Sequence, residues 1–596
     1  MSSPHIPALS RRSPFLLLLL LTLFAWAPLL APGYFLGAHD AKHNLFWLVQ
    51  FDQGLRDGFL WPRWAPDHVL GYGYPLFTFY APLPFYVAEL FHLLGASIAG
   101  AIKITWALAF VLSGVTMYRF ARRLWGQGPG FVAALLYVYA PYHFVNIYVR
   151  AALAEFVAYA LFPWALHCFW DLLEQGGRRR FAEYSQPFAE YSQPFALAAL
   201  SLGLILLTHS VTLILFPPAL ALLVLYWLLL RWRRDRQVPW RPAALALGAA
   251  SLALLLAAIF LLPVIAESRY IVQEQFLPDT YRYSNQFLYL YQLFSGEWGF
   301  GNALPGPEDG MSQQVGLWLV VLGLAALPLL WRYRPPQRGV VAGFVAASLA
   351  SVIATQAISG PLWALIPPLA LIQFPFRLLS LAALFLSLAA AGVLAALSAP
   401  RRHLTPGFIA LGLAVLLASY PYTQPQHTPV TDRNQSPAAV TDFEMAFPDM
   451  RGSTAFAEKP PVDSPKRAAY LTGAVLPLAG IIAGEGQVTA VRHGAGSEQV
   501  RVSAGTPVTL QFYTYWYPGW RATANGQPVA IRAGGADALI TLDLPPGEHD
   551  VRIRFGNTPL RTLAAVLSVL AGVTIAILLA SPAWRRRSPP NLPTPS

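Results

Sequence analysis

Ten ionisable residues crowd one short stretch near the start of the chain: His39, Asp40, Lys42, His43, Asp52, Arg56, Asp57, Arg63, Asp67 and His68. His39 and His43 stand four apart, the spacing that puts two side chains on one face of a helix. Asp40 and Asp57 can approach each other across the same loop. A carboxylate beside imidazoles serves as a general base, as part of a metal site, or simply as a solvated loop end. A second collection runs Tyr142-His143, Asn146, Tyr148, Arg150 and Glu155. Arg150 with Glu155 is either an ion pair closing two helices or part of a site. Arg377, in Gln373-Phe374-Pro375-Phe376-Arg377, carries a planar guanidinium suited to gripping a lipid phosphate through two N–H groups. His209 interrupts a long apolar stretch in Thr208-His209-Ser210, where it either lines the same cavity or caps a helix.

The elements that must position these groups are helices in a membrane. Of 596 residues, 56% are hydrophobic and only 12% are charged, with a mean hydropathy of +0.46. Soluble domains carry about 25% charged residues, so a cytosolic enzyme, a nucleic-acid binder and a disordered scaffold are poor fits. Apolar runs of roughly 20 residues match the thickness of a bilayer core. Twelve spans are predicted, at 14–32, 99–118, 128–147, 152–173, 195–208, 210–230, 242–266, 313–331, 339–357, 376–398, 405–420 and 561–583. The first is read as an uncleaved anchor, since no small-residue cleavage site follows it cleanly.

The net charge of +12 and pI near 9.7 report topology rather than a ligand. Arginines cluster at 11–12, 119–123, 178–180, 231–236, 332–338, 401–402 and 585–587, each beside an apolar run. Basic flanks of this kind mark the cytoplasmic side. All seven clusters share that side only if residues 75–95 do not cross. With 75–95 lying along the outer surface, 21 Lys and Arg fall in cytoplasmic segments, 8 in outer loops and helix ends, and 12 in the polar segment 421–561. Pro75, Pro82 and Pro84 also weaken a free span there. Both termini are then cytoplasmic, while 33–98 and 421–560 are extracytoplasmic.

Within 421–560 the pattern changes to alternating strands: QVTAVRH, EQVRVSA, PVTLQFYTY, ALITLDL and HDVRIRF, punctuated by Asn525-Gly526 and Pro545-Pro546-Gly547. An antiparallel β-sandwich is expected, led in by an irregular segment over 421–470. Its aromatics Phe512, Tyr513, Tyr515, Trp516, Tyr517 and Trp520 are read as core or membrane-facing belt ahead of a sugar-binding face. The fold class expected is thus an all-α polytopic membrane domain over 1–420, an extracytoplasmic β-rich domain over 421–560, and a last span with a short tail over 561–596. The tandem FAEYSQP at 181–194 is read as a slip duplication in a tolerant loop. The single cysteine, Cys168, lies in an apolar run, leaving no disulfide framework and no cysteine metal site. No P-loop, dinucleotide fingerprint, zinc spacing or Gly-x-Ser-x-Gly elbow occurs.

This layout resembles the GT-C superfamily of integral-membrane glycosyltransferases. More closely, the chain resembles the bacterial 6-pyruvoyl-tetrahydropterin synthase-related, YfhO-like membrane family. The motifs that carry the resemblance are His39-Asp40 with His43, GFLWPRW at 58–64, GYGYPLFTFYAPLPFY at 71–86, Ala140-Pro141-Tyr142, Tyr148-Val149-Arg150, Ala154-Glu155, Phe374-Pro375-Phe376-Arg377 and Tyr517-Pro518-Gly519-Trp520. Pterin chemistry is not implied, because the soluble synthases use a histidine-bound zinc and a catalytic cysteine that have no counterpart here. The GT-C resemblance implies inverting sugar transfer from a polyprenyl-phosphate-linked donor to an extracytoplasmic acceptor, with Asp40 as base. Arg150 and Arg377 are implied to hold the donor phosphate, Glu155 to orient the acceptor or Arg150, and His39 or His43 to tune Asp40, with His209 as a further supporting residue. The expected partners are that donor and membrane lipids, with no nucleic acid. Some members hold a divalent metal between two carboxylates; the His-Asp pattern here departs from Asp-x-Asp, so no metal ligand is assigned. A lipid or polysaccharide transporter, or a scaffold with a glycan-binding β domain, is the rival reading.

Overall fold

The computed structural model describes residues 13–176, 191–273, 281–332, 335–398 and 403–581. The FAEYSQP repeat up to residue 190 and the arginines at 11–12, 178–180, 334, 401–402 and 585–587 lie outside them.

Among the described residues, five helices are long and apolar enough to cross a bilayer: Ile98–Trp125, Leu153–Gly176, Thr212–Asp235, Pro375–Leu397 and Pro559–Ala580. Two bent pairs raise this to seven when each is one span, Gln127–Val138 with Pro141–Val149 (43°) and Trp240–Leu256 with Ala258–Tyr270 (71°). The other predicted spans fall on apolar helices of 10–17 residues, such as Ser192–Leu206 and Leu317–Leu329. Length and composition therefore support a helical membrane domain with five to seven spans. Segment 75–95 folds as two short helices, Leu76–Phe79 and Leu83–Leu93. The longer reaches only about 16 Å at 1.5 Å per residue, half a bilayer core.

The bend before Pro141 has a local cause: proline lacks the N–H that would continue the preceding helix. The chain then passes through a π-helical turn at Val145–Val149, with Arg150 N–H bonding back to the Val145 carbonyl at 2.9 Å. Ala151 follows with φ of +53°, a left-handed conformation that non-glycine residues adopt at a cost. This kink matters because it turns Arg150 and the carbonyls around it toward the first loop.

The C-terminal region forms nine strands, β1 (Ala479–Ala483), β2 (Gly486–His493), β3 (Ser497–Ala504), β4 (Val508–Tyr515), β5 (Trp520–Ala524), β6 (Gln527–Val529), β7 (Arg532–Gly534), β8 (Leu539–Leu544) and β9 (Gly547–Phe555). They make two antiparallel sheets ordered β1-β4-β8-β7 and β2-β3-β9-β5-β6. Inward residues Val500, Val502, Leu510, Phe512, Leu542, Val551 and Ile553 share one apolar core. Phe512, Tyr515, Tyr517 and Trp520 are buried, so the aromatic strip is mostly core. Asn525 and Gly526, at φ +49° and +79°, turn β5 into β6, the paired positive angles of a type I′ hairpin. The lead-in over 421–470 is not irregular as expected. It holds the helices Pro437–Ala446 and Pro465–Thr472, the latter started by Ser464 accepting from Arg467 N–H and stopped by Gly473 at φ +71°.

The first loop is woven into this region. Trp64, Val69, Tyr72 and Tyr74 belong to the β core, and Trp64 packs on Trp520 and Phe555 with ring centroids 5.2 and 5.1 Å away. Gly73 is required there, since a Cβ on it would strike the Trp64 indole. Val69 and Leu70 both take positive φ, +58° and +55°. Glu444 holds them, accepting their amides at 2.8 and 2.7 Å while His68 Nδ1 lies 3.1 Å from the same carboxylate.

Candidate functional site

The first-loop helix Ala41–Arg56 begins at Asp40. Asp40 stands at the N-cap position, yet its side chain makes no capping hydrogen bond and is half-buried. Its backbone is pinned instead: Asp40 N–H donates to the Arg150 carbonyl at 2.8 Å and His39 N–H to Val149 at 3.2 Å. Asn44, one turn on, donates from Nδ2 to the Ala151 carbonyl at 2.6 Å. The π-helical kink thus supplies three successive carbonyls that fix the start of the loop helix.

Behind Asp40 lies a buried charge cluster. Arg150 Nη1 donates to Glu155 Oε2 at 2.9 Å, and Arg377 Nε lies 3.5 Å from the same oxygen. The other oxygen accepts from Tyr142 at 3.1 Å and also from the Tyr159 hydroxyl. Arg150 and Glu155 are 4% and 1% exposed, and Arg377 9%. Phe376 faces the Arg150 guanidinium and Phe374 that of Arg377, at 5.1 and 5.3 Å. Arg377 also donates from Nη1 to the Ile372 carbonyl at 2.7 Å. Two guanidiniums therefore share one carboxylate, leaving one positive charge in surplus in a place poor in water.

The sequence paired Arg150 with Glu155 and singled out Arg377 apart from them, and the fold brings all three together. Tyr80 joins them to Asp40, because its phenol lies within electrostatic reach of Asp40, Arg377, Glu155 and Arg150. Its ring also meets Trp47 at a tilt and His209 edge-on, at centroid distances of 4.5 and 6.5 Å. His209 is buried. Its carbonyl accepts from Thr212 Oγ1 at 2.8 Å, and its ring feels Glu155, Arg377 and Arg150. The helix that follows has Val211, not His209, at its N-cap position, so the capping expectation is corrected. Burial pushes its imidazole down to about 3.

Two expectations are corrected. His39 and His43 do not share a helix face, because the helix starts at Ala41 and His39 lies outside it. His39 Nε2–H instead donates to the Gly301 carbonyl at 3.0 Å, whereas His43 packs against Phe443 and Trp47 at 4.6 and 5.3 Å. Asp57 does not approach Asp40, since the two cap opposite ends of a 16-residue helix, about 24 Å apart. Asp57 pairs with Arg492 at 2.9 Å and accepts from Ala495 N–H at 2.7 Å in the β region. Burial, with the Arg150 charge added, holds the His39 imidazole below its ordinary value. Burial pushes His43 down to about 4. Both rings are accordingly neutral at pH 7. Among the described residues no three His, Cys, Asp or Glu side chains converge as metal ligands.

Tyr80 and Tyr159 were not singled out from the sequence. Tyr159 lies one helical turn after Glu155, an i, i+4 relation that could have flagged it. Tyr80 carried no such local signal beyond its place in an aromatic-rich motif.

Residues 77–424 match the 6-pyruvoyl-tetrahydropterin synthase related domain, a membrane-protein domain. An uncharacterized protein of Lactococcus lactis subsp. cremoris is 23% identical over 256 residues. That match takes in 42% of this chain and 39% of the relative, so the chain spans about two-fifths of the relative's length. Arabinofuranosyltransferase AftD from mycobacteria aligns with 70% of this chain and 27% of its own, at 18% identity and TM-score 0.43. Archaeal oligosaccharyltransferase AglB from Archaeoglobus fulgidus, solved with an inhibitory peptide and a dolichol-phosphate, aligns at 11% identity and TM-score 0.42, covering 73% and 58%. ArnT from Cupriavidus metallidurans bound to undecaprenyl phosphate aligns at 13% identity and TM-score 0.30, covering 64% and 78%.

Proposed function

For a chain that belongs to the 6-pyruvoyl-tetrahydropterin synthase related family of integral membrane proteins, we propose sugar transfer from a polyprenyl-phosphate-linked donor to an acceptor hydroxyl outside the cytoplasm. The observation that carries this reading is the surplus positive charge where Arg150 and Arg377 share Glu155, one backbone hydrogen bond away from the half-buried Asp40. A phosphate leaving group gathers negative charge as the glycosidic bond breaks. Preorganised guanidiniums in a dry site stabilise that charge far better than water-exposed ones. Asp40, with no capping bond to occupy it, takes the proton of the acceptor hydroxyl as its oxygen attacks the anomeric carbon. The C–O bond to phosphate breaks in the same displacement, and the lipid phosphate departs toward Arg150 and Arg377. Glu155 and its tyrosines keep the two arginines in register. His39, neutral and anchored to Gly301, holds the loop behind Asp40.

The topology adopted with this reading has twelve spans, cytoplasmic termini and extracytoplasmic segments 33–98 and 421–560. Domain bounds are 1–420, 421–560 and 561–596. Its support is that every predicted apolar run falls on a helix or bent helix pair, and that the arginine clusters take one side together.

Native mass spectrometry of the purified protein tests the proposal. Polyprenyl phosphate or its glycoside is expected on the wild-type protein and on Asp40→Asn, but lost on Arg377→Ala. With that glycoside as donor, Asp40→Asn lowers turnover about 10²–10⁴-fold. Retention of bulk phospholipid alone, unchanged in Arg377→Ala, would overturn the reading in favour of a transporter or scaffold.

A further inference from the structure

Helix Thr212–Asp235 starts beside the Glu155 cluster and ends 24 residues later, about 36 Å away. At that far end a cavity of about 470 Å³ opens against helices Leu153–Gly176 and Ile98–Trp125 and against Gln337 and Val340. One wall is apolar and rich in indole: Trp125, Trp170 and Trp227, with leucines between them. Trp170 meets Trp227 edge-on at 4.9 Å. Trp227 is 7% exposed, and its Nε1–H has no partner among the described residues. The rim is basic, carrying Arg231, Arg233 and Arg234.

Two carboxylates partly answer these three charges. Arg234 bonds Asp235 at 2.7 Å. Arg231 lies 3.6 Å from Asp235 and 3.9 Å from Glu174 while donating to the Leu173 carbonyl at 2.8 Å. Arg233 has no hydrogen bond or ion pair among the described residues. The rim thus keeps a positive surplus over a deep apolar wall with an unsatisfied N–H.

That combination fits an amphiphile with an anionic head. Arginine forks bind phosphate oxygens in pairs, tryptophans sit at the head-group level of bilayers, and basic pockets between spanning helices take anionic lipid heads. We propose that this cavity binds an anionic phospholipid, its phosphate on Arg231, Arg233 and Arg234 and its upper acyl chain along Trp125, Trp170 and Trp227. The site is separate from the Glu155 cluster, and its occupant bridges the ends of three helices rather than entering a reaction.

The test uses the full-length protein, delipidated in detergent and then mixed with phosphatidylglycerol or phosphatidylcholine. Native mass spectrometry is expected to find phosphatidylglycerol retained over phosphatidylcholine by roughly tenfold or more, with that preference collapsing toward unity in Arg233→Gln/Arg234→Gln. Both arginines are exposed, so this variant keeps the packing intact. A second measurement reads the wall directly. Phosphatidylglycerol brominated on its acyl chains is expected to quench tryptophan fluorescence more than brominated phosphatidylcholine, and Trp170→Phe removes part of the difference. Equal retention of the two lipids, equal quenching by them, or a preference unchanged in Arg233→Gln/Arg234→Gln overturns the proposal.

Discussion

Replacing Glu155 with glutamine keeps the shape of the side chain but strips the one negative charge from between Arg150 and Arg377. In the native protein Oε2 is 2.9 Å from Arg150 Nη1 and 3.5 Å from Arg377 Nε. All three side chains are less than a tenth exposed. Removing one partner of a single buried pair costs about 3–5 kcal/mol, mostly the penalty of the charge left behind. Two arginines depend on this carboxylate, so Glu155→Gln is expected at the upper end, about 5 kcal/mol. The same change raises the charge of the cluster from +1 to +2, which strengthens its hold on an anion. The two consequences have opposite signs. Without ligand the variant unfolds at a lower temperature than wild type; with polyprenyl phosphate it recovers more. A ligand at 100 times its dissociation constant adds about 2.7 kcal/mol, and tighter binding in the variant enlarges that gain at a fixed concentration. Thermal unfolding of both proteins across a polyprenyl phosphate titration measures both effects. A variant as stable as wild type, or one stabilised no more than wild type by the lipid, would refute the shared-carboxylate argument.

Other outcomes follow from neighbouring contacts. Arg561 is fully buried and grips Glu267 through two bonds of 2.9 and 2.7 Å, so Arg561→Met is expected to cost about 3–5 kcal/mol. The double variant Arg561→Met/Glu267→Gln should regain part of that loss in chemical unfolding, because Glu267 is no longer left charged without Arg561. Glu444→Ala leaves Val69 and Leu70 in left-handed backbone without their acceptor, and hydrogen bonds to a charged group are worth about 1.5–3 kcal/mol. Amide exchange at those two residues is therefore expected to quicken at least tenfold, while exchange in β3 and β9 holds. His43, depressed from 6.5 to about 4 by burial, binds its proton less readily folded than unfolded. Its contribution to stability is complete above pH 6.5 and is lost as pH falls toward 4. Unfolding midpoints measured across that range should decline, and His43→Phe should flatten the decline.

The sequence displayed some of this more readily than the rest, for physical reasons. Arg150, Glu155 and Arg377 stood out because charge next to an apolar run on the sparsely basic side has no anchoring explanation. The convergence of Arg377 with the Arg150–Glu155 pair was not visible, since it meets Glu155 across more than two hundred residues. Tyr159 went unnoticed because a tyrosine in an apolar run looks like packing until its hydroxyl is seen on a carboxylate. Asp57 misled through loop proximity, which a 16-residue helix converts into distance. Five strands were legible from alternation. β6 and β7, three residues each, are too short for any period to register. Trp64 to Tyr74 stood in the sequence only as parts of first-loop motifs, and the fold reveals Trp64, Val69, Tyr72 and Tyr74 as part of the β core.

That interweaving changes what the β region can be. Helix Ala41–Arg56 is a strut about 24 Å long, fastened at both ends. At one end Asp40 and Asn44 are held on the carbonyls of Arg150 and Ala151. At the other, Asp57 is held on Arg492 and the Ala495 amide. Between them, Asp67 accepts from the Tyr470 hydroxyl at 2.9 Å, and Glu444 fixes the turn that carries Trp64 and Tyr72 into the sheets. The Arg492 contact is solvent-exposed on one side and contributes little by itself. The buried Lys466–Glu498 pair at 2.7 Å and the shared aromatic core make the joint stiff. A displacement of the sandwich therefore moves Asp40 against Arg150 unless the strut bends or a buried contact breaks. The β region is in this sense a mount for the acid rather than an appended module.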